Sequence, residues 1–592
     1  MTLDQSLILV ILAGALAGFI WGRIRFDLVA VLALLAAVAV GVVPGGQAFA
    51  GFGHPAVVTV AAILILSHAL RGSGLIESAA RQLGRMAGQP SRQVLAIAAL
   101  TALCSAFMNN VGALALMLPV ALKVAADAKR APSQMLMPIS FASLLGGLIT
   151  LIGTPPNIII ASVREEHLGQ PFALFDFAPV GLAVAIVGVL FIGLVGWRLL
   201  PQDRDGSEEI EAQFDIGDYI VELKIPEGSP MVGHRVTELE ELAQDDLSVV
   251  ALERRGDRML APSAYLRFQS GDIVMVEADT KALEQVVQAA ELEIIGGADM
   301  TASNLRSKRV GLVEAVIAPG SRLEGRTTQT MSLHTRFAVN LLGISRQGQP
   351  IVERLGHVPL KTGDVLLLQG ERVALPDALT ALGCLPLAGR DIKLDGRAGK
   401  PVVLGVFAAA VLLATFGLAH PAVAFVGAVA VLALSGQIRL REIYESIEWP
   451  VIVLLAALIP VGQALEATGG SAVIAAPILA LGAAAPAWLL LGVLMIVTML
   501  LSDVMNNAAT AVLMAPIGLT IAAGLGANPD PFLMAVAVGS SSTYLTPIGH
   551  QSNLLVMGPG GYRFADYWRL GLPLDILVLL VAVPMILWVW PM

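Results

Sequence analysis

Two polar motifs interrupt long apolar stretches of the chain and follow the same spacing. Residues 105–119 read SAFMNNVGALALMLP and residues 502–516 read SDVMNNAATAVLMAP, with seven identical residues at matching positions. Each motif supplies a Ser hydroxyl and two Asn amides, whose oxygens can bind a hard cation and whose N–H groups can bind an anion. The repeat therefore predicts two similar ligand sites, one in each half of the chain.

A second pair of motifs follows the first pair. Gly153-Thr-Pro-Pro-Asn157 begins 43 residues after Asn110, and a Gly-His-Gln-Ser-Asn motif at 549–553 begins 42 residues after Asn507. Pro and Gly inside an apolar segment break a helix and free backbone carbonyl groups, which a membrane accommodates only where they line a cavity or are buried in protein. We expect the four motifs to meet near the middle of a membrane.

The surrounding sequence is typical of a polytopic α-helical membrane protein. Hydrophobic residues make up 56% of the 592 residues and charged residues only 14%, and residues 201–400 hold 22 of the 37 Lys and Arg. Ten apolar runs are long enough to cross about 30 Å of hydrocarbon: 5–21, 28–43, 55–71, 134–162, 177–199, 401–418, 421–436, 450–468, 531–558 and 569–590. They form two membrane blocks, 1–201 and 400–592, with a polar block between them.

Two further apolar stretches, 93–122 and 487–523, are each divided by a Met-Asn-Asn sequence. The arm from Arg92 to Met108 reaches only about 24 Å at 1.5 Å per residue, which is too short for a full crossing. Basic residues flank 93–122 on both sides, whereas the flanks of 487–523 hold none. We therefore predict two re-entrant hairpins that enter the membrane from opposite faces.

The positive-inside rule orients the rest of the chain. When the first hairpin enters from the cytoplasm, ten basic residues of other loops also fall on the cytoplasmic side: Arg23, Arg25, Arg71, Arg198, Arg397, Lys400, Arg439, Arg441, Arg563 and Arg569. Only Arg164 falls outside. Each half then has five spans and one hairpin in opposite orientations, as in inverted-repeat secondary transporters. This predicts a multi-pass protein of the cell inner (plasma) membrane whose α+β insert, residues 202–399, lies in the cytoplasm.

The predicted site lacks fixed positive charge. Neither hairpin tip nor either broken span contains Lys or Arg. Burying a bare dianion in a low dielectric is very costly, so co-bound cations such as sodium are the expected source of compensating charge. Two cations would make the transport of a dianion electroneutral, and a third would be required for the membrane potential to drive uptake. Single Asn or Gly-Pro motifs can be mere helix-packing features, but four motifs paired by repeat and spacing favour a site.

The ionisable residues near these motifs are interpreted one by one. Asp503 at the second tip could help to bind a cation or a proton, but its counterpart Ala106 gives it no support from the repeat. His54 and His68 are interpreted as packing or interface residues. His550 lies inside the second broken segment, where a site-lining role and a structural role stay equally open.

The motifs resemble those of the divalent anion/sodium symporter family, whose members carry a Ser-Asn-Thr signature at two hairpin tips and a Gly-Thr-Pro-Pro-Asn-type break after each. The resemblance covers all of the membrane part and implies an elevator-type mechanism, a homodimer and two sodium sites. The implied substrate-binding residues are Asn109, Asn110, Val111, Thr154, Asn506, Asn507, Ala508, Thr510 and Ser552. The implied sodium ligands are Ser105, Asn109, Asn110 and Gly153 in the first half, and Ser502, the Met505 carbonyl, Asn507 and the 545–549 turn with Gly549 in the second.

The chain departs from the family pattern at the signature threonines. Val111 and Ala508 stand at the two Thr positions, and the second break contains His, Gln and Ser in place of Thr-Pro-Pro. In dicarboxylate-carrying members the signature looks like the clamp for the carboxylate groups. The departure therefore makes a compact oxyanion such as sulfate at least as well supported as a C4 dicarboxylate.

The polar block contains a repeat of its own. An Ile-x-x-Gly-Ser sequence begins at Ile225 and again at Ile317, and in both copies an Arg follows the Gly by 26 residues and a Gly-Asp pair follows it by 43. Alternating apolar residues predict strands at 272–276 and 364–368, and helices are expected near 280–291 and 371–382.

This repeat resembles the TrkA-C (RCK C-terminal) regulatory domain, here in two copies at 202–300 and 301–399. The resemblance implies a small β-rich domain that often dimerises and sometimes binds a nucleotide such as cyclic di-AMP. A Rossmann fingerprint does not occur in the block. A ligand sensor and a cytoplasmic dimerisation clamp without ligand stay equally open.

Other classes of protein fit the sequence less well. The net charge of -9 argues against nucleic acid as a partner, and the two cysteines, Cys104 and Cys384, cannot make a disulfide framework or a zinc site. An enzyme needs a positioned nucleophile, base or metal cluster, whereas the spans offer Asn, Ser and Thr. We therefore expect a transporter and not an enzyme. A cation/proton antiporter of related fold is the alternative, with Asp503 as its ionisable carrier.

Overall fold

The structure is a computed structural model of the whole chain. It describes residues 1–21, 24–71, 90–128, 130–201, 220–243, 247–255, 257–260, 262–278, 280–297, 310–331, 333–337, 339–346, 349–351, 358–371, 374–388, 401–482 and 486–592. Several of the basic residues in the loops and in the flank of the first hairpin lie outside the described residues, among them Arg23, Arg81, Arg85, Arg397 and Lys400.

The first membrane block contains eight described helices. They are α1 (Leu3–Trp21), α2 (Phe26–Ala39), α3 (Pro55–Arg71), α4 (Pro90–Ser105), α5 (Asn110–Asp127), α6 (Ser133–Gly147), α7 (Pro155–Leu168) and α8 (Ala178–Leu194). Helices α4 and α5 form the first predicted hairpin, and α6 and α7 form the first broken span. Pro begins α3 and α7 because the first turn of a helix needs no backbone N–H from that residue.

The insert folds into two lobes with the same topology. The first lobe contains β1 (Ile220–Lys224), α9 (Val236–Leu242), β2 (Leu247–Arg254), β3 (Asp257–Leu260), β4 (Ile273–Ala278), α10 (Thr280–Ala289) and β5 (Glu293–Gly297). The second contains β6 (Val310–Ile317), α11 (Thr328–Met331), α12 (Leu333–Phe337), β7 (Val339–Arg346), β8 (Gln349–Pro350), β9 (Val365–Glu371), α13 (Leu375–Leu382) and β10 (Cys384–Ala388). The strand orders are β3-β2-β4-β1-β5 and β8-β7-β9-β6-β10, with antiparallel pairing.

The repeated Arg and Asp of the insert are ion-pair partners. Arg254 donates to both carboxylate oxygens of Asp272 at 2.8 and 2.7 Å, and Arg346 donates to Asp364 at the same two distances. Each pair joins the strand that carries the Arg, β2 or β7, to the turn before its neighbour in the sheet, β4 or β9, and each carboxylate is 1% exposed. The bidentate geometry explains why Arg and Asp recur at a fixed spacing.

The second membrane block contains ten described helices and repeats the hairpin and the broken span of the first. Its helices are α14 (Pro401–Thr415), α15 (Pro421–Leu434), α16 (Leu440–Glu445), α17 (Trp449–Ala467), α18 (Gly470–Gly482), α19 (Ala487–Ser502), α20 (Asn507–Leu525), α21 (Pro529–Ser541), α22 (Gln551–Met557) and α23 (Tyr567–Val589). Helices α19 and α20 form the second hairpin, and α21 and α22 form the second broken span. The sequence analysis predicts no span or hairpin at α18.

By length and composition alone, five helical segments of the described residues could cross a membrane: Leu3–Trp21, Gly45–Leu70, Trp449–Ala467, Asn507–Leu525 and Phe564–Val589. The other predicted spans correspond to apolar helices of 13 to 17 residues. The spans 134–162 and 531–558 are broken, as the Pro and Gly of the second polar motif predict: their first helices end after 15 and 13 residues.

The two halves interlock through their broken spans. Helix α7 of the first half packs against α20 and α21, and α22 of the second half packs against α5 and α6. Each broken span thus contacts the hairpin of the opposite half. This exchange brings all four polar motifs into one buried region.

Candidate functional site

The first Asn of each tip caps a helix. Asn109 Oδ1 accepts from the Val111 backbone N–H at 3.2 Å, and Asn506 Oδ1 accepts from the Ala508 N–H at 2.9 Å. Asn is a favoured N-cap because its side chain satisfies a free N–H of the first turn. The predicted ligands Asn109, Val111, Asn506 and Ala508 therefore meet in capping turns, where N–H groups of α5 and α20 point at the tip.

The second Asn of the first tip ties the hairpin to its broken span. In the orientation that satisfies its neighbours, the Asn110 amide nitrogen donates to Ser105 Oγ at 2.8 Å, to the Ser143 carbonyl at 3.0 Å and to the Gly153 carbonyl at 3.2 Å. Asn110 is 1% exposed. Three of the four predicted first-half sodium ligands, Ser105, Asn110 and Gly153, thus lie together around one amide.

The second tip has the same backbone path but leaves a donor free. Asn507 Oδ1 accepts from the Ala508 N–H at 2.9 Å, while Asn507 Nδ2 is buried without a partner among the described residues. Ser502 Oγ donates to the Ser540 carbonyl at 2.5 Å. The two tips therefore differ at the amide nitrogen, which is satisfied by protein in the first half and unsatisfied in the second.

A Thr hydroxyl fastens each broken span to the neighbouring hairpin tip. Thr150 donates to the Ala106 carbonyl, and Thr546 donates to the Asp503 carbonyl at 2.5 Å. These two bonds join equivalent residues of the repeat. The 545–549 turn, predicted as a sodium ligand, is thereby held against the second tip.

The Asn that ends each break motif supports the unwound backbone. Asn157 Nδ2 donates to the Thr150 carbonyl at 2.8 Å and to the Gly147 carbonyl at 3.2 Å. Asn553 Nδ2 donates to the carbonyls of Thr543 and Thr546 at 2.8 and 3.2 Å. The carbonyl groups freed by the helix break are in this way partly satisfied, as burial requires. Sequence analysis had not assigned this role to the two Asn residues.

Several other hydroxyls predicted at the site are buried. Thr154 Oγ1 and Ser552 Oγ have no hydrogen-bond partner among the described residues, although Thr154 is 1% and Ser552 0% exposed. Thr510 Oγ1 donates to the Asn506 carbonyl at 3.2 Å, and Met505 is buried directly before that Asn. Unsatisfied buried hydroxyls are costly, so Thr154 and Ser552 are suited to contact a ligand.

The break motif of the second half is also joined to the first half. Ser140 Oγ donates to Asn553 Oδ1 at 2.8 Å, and Tyr567 Oη donates to the Asn553 carbonyl at 2.6 Å. His550 Nδ1 accepts from the Ser552 N–H at 3.0 Å, so that its ring caps α22. This contact gives His550 a structural role.

Four consecutive residues at the end of α7 form ion pairs with four different segments. The pairs are Arg164–Asp530 (2.8 Å), Glu165–His420 (3.6 Å), Glu166–His54 (2.7 Å) and His167–Glu466 (2.5 Å). All eight residues lie at the ends of segments that were predicted to face outside. The pairing with Asp530 neutralises Arg164, the one basic residue predicted on that face, and His54 lies at an interface.

The second lobe of the insert reaches the first hairpin tip. A cavity of about 190 Å³ has Asn109 and Val111 on one side and Ala318, Pro319 and Leu385 of the insert on the other. Strand β10 packs against α5. The insert therefore contacts the same helix whose N-terminus forms the first tip.

Paired helical hairpins and paired interrupted helices in a long apolar chain are the architecture of a multi-pass membrane transporter. The citrate transporter (CitMHS) family model matches residues 16–539 and, again, 483–591. The chain therefore belongs to the citrate transporter family. Because this is a family of transporters, the prediction that the protein is not an enzyme is confirmed, as is the prediction of a multi-pass membrane protein.

Several known proteins are similar to this chain in sequence. The transporter sll0640 of Synechocystis sp. is 32% identical over 98% of this chain and 96% of its own length. The transporter YfbS of Escherichia coli is 31% identical over 99% of both chains. Sodium/sulfate cotransporter 2 of Chlamydomonas reinhardtii is 29% identical over 57% of this chain and 40% of its own length. Among solved structures, the Alcanivorax borkumensis YdaH transporter is 14% identical, with a TM-score of 0.44, over 97% of this chain and 98% of its own.

Proposed function

We propose that the protein is a sodium-coupled secondary active transporter of a small divalent anion, a symporter with an elevator-type mechanism. The observation that most supports this proposal is a set of buried polar groups that have no hydrogen-bond partner among the described residues. They lie at the second tip and the two breaks: Asn507 Nδ2, Thr154 Oγ1 and Ser552 Oγ. Two of these groups are hydroxyls that can donate to an anion or bind a cation, and one is an amide donor. The names of the sodium/sulfate cotransporters among the relatives support the same class of function.

The proposal assigns sodium to the two tips and the anion to the space between them. When sodium binds, the Asn110 amide turns so that Oδ1 takes the place of its nitrogen, and Ser105, Asn110 and Gly153 then supply oxygen atoms for one cation. Ser502, the Met505 carbonyl and the Gly549 turn supply oxygen atoms for the other. The anion is bound by the free N–H groups at the starts of α5 and α20, by Asn507 Nδ2 and by Thr154 and Ser552. Helix N-termini favour anions because their N–H groups and dipole point at the ligand.

Sulfate is the proposed substrate in preference to a C4 dicarboxylate. Val111 and Ala508 supply no hydroxyl at the two tips. Their own backbone N–H groups bond to the capping residues Asn109 and Asn506, so that the neighbouring N–H groups of the first turns are the free donors. One set of donors converging from two helix N-termini suits a compact oxyanion. A longer dicarboxylate would present two separate carboxylates, for which the tips carry no second set of hydroxyls.

Uptake into proteoliposomes tests this proposal. An inward sodium gradient is expected to drive accumulation of radiolabelled sulfate, with a Hill coefficient for sodium above one because more than one cation binds. Choline in place of sodium at fixed pH should abolish uptake. Accumulation of succinate but not sulfate would contradict the substrate, and equal uptake with choline would contradict sodium coupling.

We further propose that the two lobes of the insert are TrkA-C-like regulatory domains and that the second lobe acts on transport. Gly363 packs against α22, since a Cβ there would lie 2.8 Å from the Leu554 carbonyl oxygen. The equivalent Gly271 of the first lobe has no atom within 4 Å of the same position. At this repeated turn, among the described residues, the second lobe contacts the second broken span and the first lobe does not. The proposed elevator motion has to displace that span.

Substitution of these two glycines is expected to distinguish the role of the second lobe from that of the first. Gly363 and Gly271 have φ angles of +86° and +85°, so Ala strains both turns alike. Gly363→Ala should also push the lobe away from α22 and raise the initial rate of uptake by at least about 5-fold, the low end of typical allosteric coupling. Gly271→Ala is the matched control and should leave the rate unchanged. Equal rates in the two variants would show that the contact does not restrain transport.

A further inference from the structure

Among the residues that the structure describes, three buried polar side chains of the second half have polar atoms without a hydrogen-bond partner. They are both carboxylate oxygens of Asp575, Oδ2 of Asp503 and Oη of Tyr544. Their exposed fractions are 8%, 3% and 0%. The Ser542 hydroxyl, which lies beside the Tyr544 phenol, donates instead to the Val538 carbonyl at 2.8 Å. Two carboxylates and a phenol are thus buried with free acceptor atoms.

The three side chains belong to one region. Asp503 Oδ1 accepts from the Leu545 N–H at 3.1 Å. Gly571 of α23 is packed against the same peptide, because a Cβ there would lie 2.1 Å from the Tyr544 carbonyl oxygen. Asp575 follows Gly571 by one helical turn and lies on the same face of α23. The two carboxylates interact electrostatically with each other and with the Tyr544 phenol.

The internal repeat shows that this group is specific to the second half. Gly181 of α8 packs against the Leu148 carbonyl as Gly571 packs against the Tyr544 carbonyl, and a Cβ added at Gly181 would also lie 2.1 Å from the carbonyl oxygen. This equivalence places Leu148 at the position of Tyr544 and Ala185 at that of Asp575. Ala106 corresponds to Asp503. Three apolar residues of one half are therefore three acidic or hydroxyl-bearing residues in the other, and the three changes meet in space.

Charge explains why the three changes belong together. A carboxylate inside a membrane protein is costly unless an opposite charge or hydrogen-bond donors compensate it. Among the described residues, Asp503 and Asp575 form no ion pair. The hydroxyls of Ser541 and Thr543 nearby are also buried without partners. Carboxylate and hydroxyl oxygens are the ligands that hard cations prefer.

We infer that Asp503, Asp575 and Tyr544 form a binding site for a monovalent cation, sodium under the proposed function. The site borders the second tip site, because Asp503 follows Ser502 and bonds to the 545–549 turn, and it has no counterpart in the first half. It rests on the proposed sodium coupling, and it adds a third cation to the two that the repeat supplies. The first half has Ala106 where the second has Asp503. This difference then means that the second half has an additional site, and it does not mean that Asp503 is dispensable.

Binding of ²²Na⁺ to the purified full-length protein, without any anion, tests this inference. Asp575→Asn and Asp503→Asn are each expected to bind one ion fewer per chain than the unchanged protein, because each removes a charged ligand with little change in volume. The double variant should lose no more than either single variant, since both residues serve one site. Tyr544→Phe, a milder change, should keep the number of ions and weaken the binding of one of them by about 10-fold.

Asp566→Asn is the matched control. Asp566 is another buried carboxylate, directly before α23, but it accepts from the Arg563 N–H at 2.8 Å, so its variant should bind the full number of ions. The inference would be overturned if the Asp575 and Asp503 variants bound the full number of ions and the Tyr544 variant bound them with unchanged affinity. It would also be overturned if one single variant lost two ions. If the unchanged protein takes up no sulfate but the variants still bind one sodium ion fewer, the proposed substrate alone would be rejected.

Discussion

Asn507→Ala is expected to lower sodium-dependent sulfate uptake by about 10- to 100-fold while the purified protein stays folded. The Asn507 amide nitrogen is buried and has no partner among the described residues. The substitution also removes Asn507 Oδ1, but the Ala508 N–H that bonds to it keeps Asn506 Oδ1 as an acceptor. A hydrogen bond to a charged ligand contributes about 1.5–3 kcal/mol, which corresponds to this loss. Initial uptake rates, with thermal unfolding of the purified variant, provide the measurement.

The neighbouring asparagines provide controls with different expected profiles. Asn110→Ala should reduce both uptake and stability, because the Asn110 amide joins the tip to Ser143 and Gly153. Asn506→Ala should cost about 1 kcal/mol of stability through the lost N-cap, whereas Asn506→Ser should restore that cap. An uptake rate of Asn507→Ala equal to that of the unchanged protein would show that Asn507 does not contribute to ligand binding. A stability loss equal to that of Asn110→Ala would show that the amide has a structural role.

Much of the membrane architecture could be predicted from the sequence because its signals are local. Apolar length, the Pro and Gly of the break motifs and the Met-Asn-Asn tips give helix boundaries without any knowledge of distant contacts. The helices begin and end within a few residues of the predicted limits at α3, α8 and α17. In the insert, β4 and β9 match the two predicted strands, and α10 matches the helix predicted after the first of them.

The misses in the fold have physical causes. Helix α18 follows α17 after two residues, and its small residues, with Pro477 inside, gave no helix-capping signal distinct from a loop. In the second lobe, α13 begins at Leu375, later than the predicted residue 371, because β9 continues to Glu371. Such boundaries depend on strand pairing, which in this lobe joins Glu371 to Val310, 61 residues earlier.

At the candidate site, sequence analysis named residues that the structure brings together, but it did not give all of their structural roles. An Asn directly before a helical stretch is a recognisable N-cap signal, so the capping by Asn109 and Asn506 could have been found. The support of the breaks by Asn157 and Asn553 needs the folded backbone, because their acceptor carbonyls lie in the unwound segments. Asp575 was missed because its partners, Asp503 and Tyr544, are far away in the sequence and the repeat offered no match.

The largest consequence of the third cation concerns voltage. Two sodium ions and one dianion carry no net charge across the membrane, whereas three sodium ions and one dianion carry one positive charge inward. The fixed charges of the protein cancel over a complete transport cycle, so only the carried ions count. At about -100 mV inside, one charge corresponds to about 2.3 kcal/mol, or about a 50-fold difference in sulfate accumulation.

We therefore expect an inside-negative potential, set with potassium and valinomycin in proteoliposomes, to stimulate uptake by the unchanged protein. Asp575→Asn should retain sodium-dependent uptake but lose this stimulation, because its cycle carries two cations and is electroneutral. Asp566→Asn, whose carboxylate lies outside the proposed cation site, should respond to the potential like the unchanged protein. Uptake by the unchanged protein that is independent of the potential would limit the cycle to two cations, and inhibition by an inside-negative potential would contradict cation coupling altogether. Since the fixed charges cancel, a loss of voltage response in Asp575→Asn alone assigns the third transported charge to the site that contains Asp575.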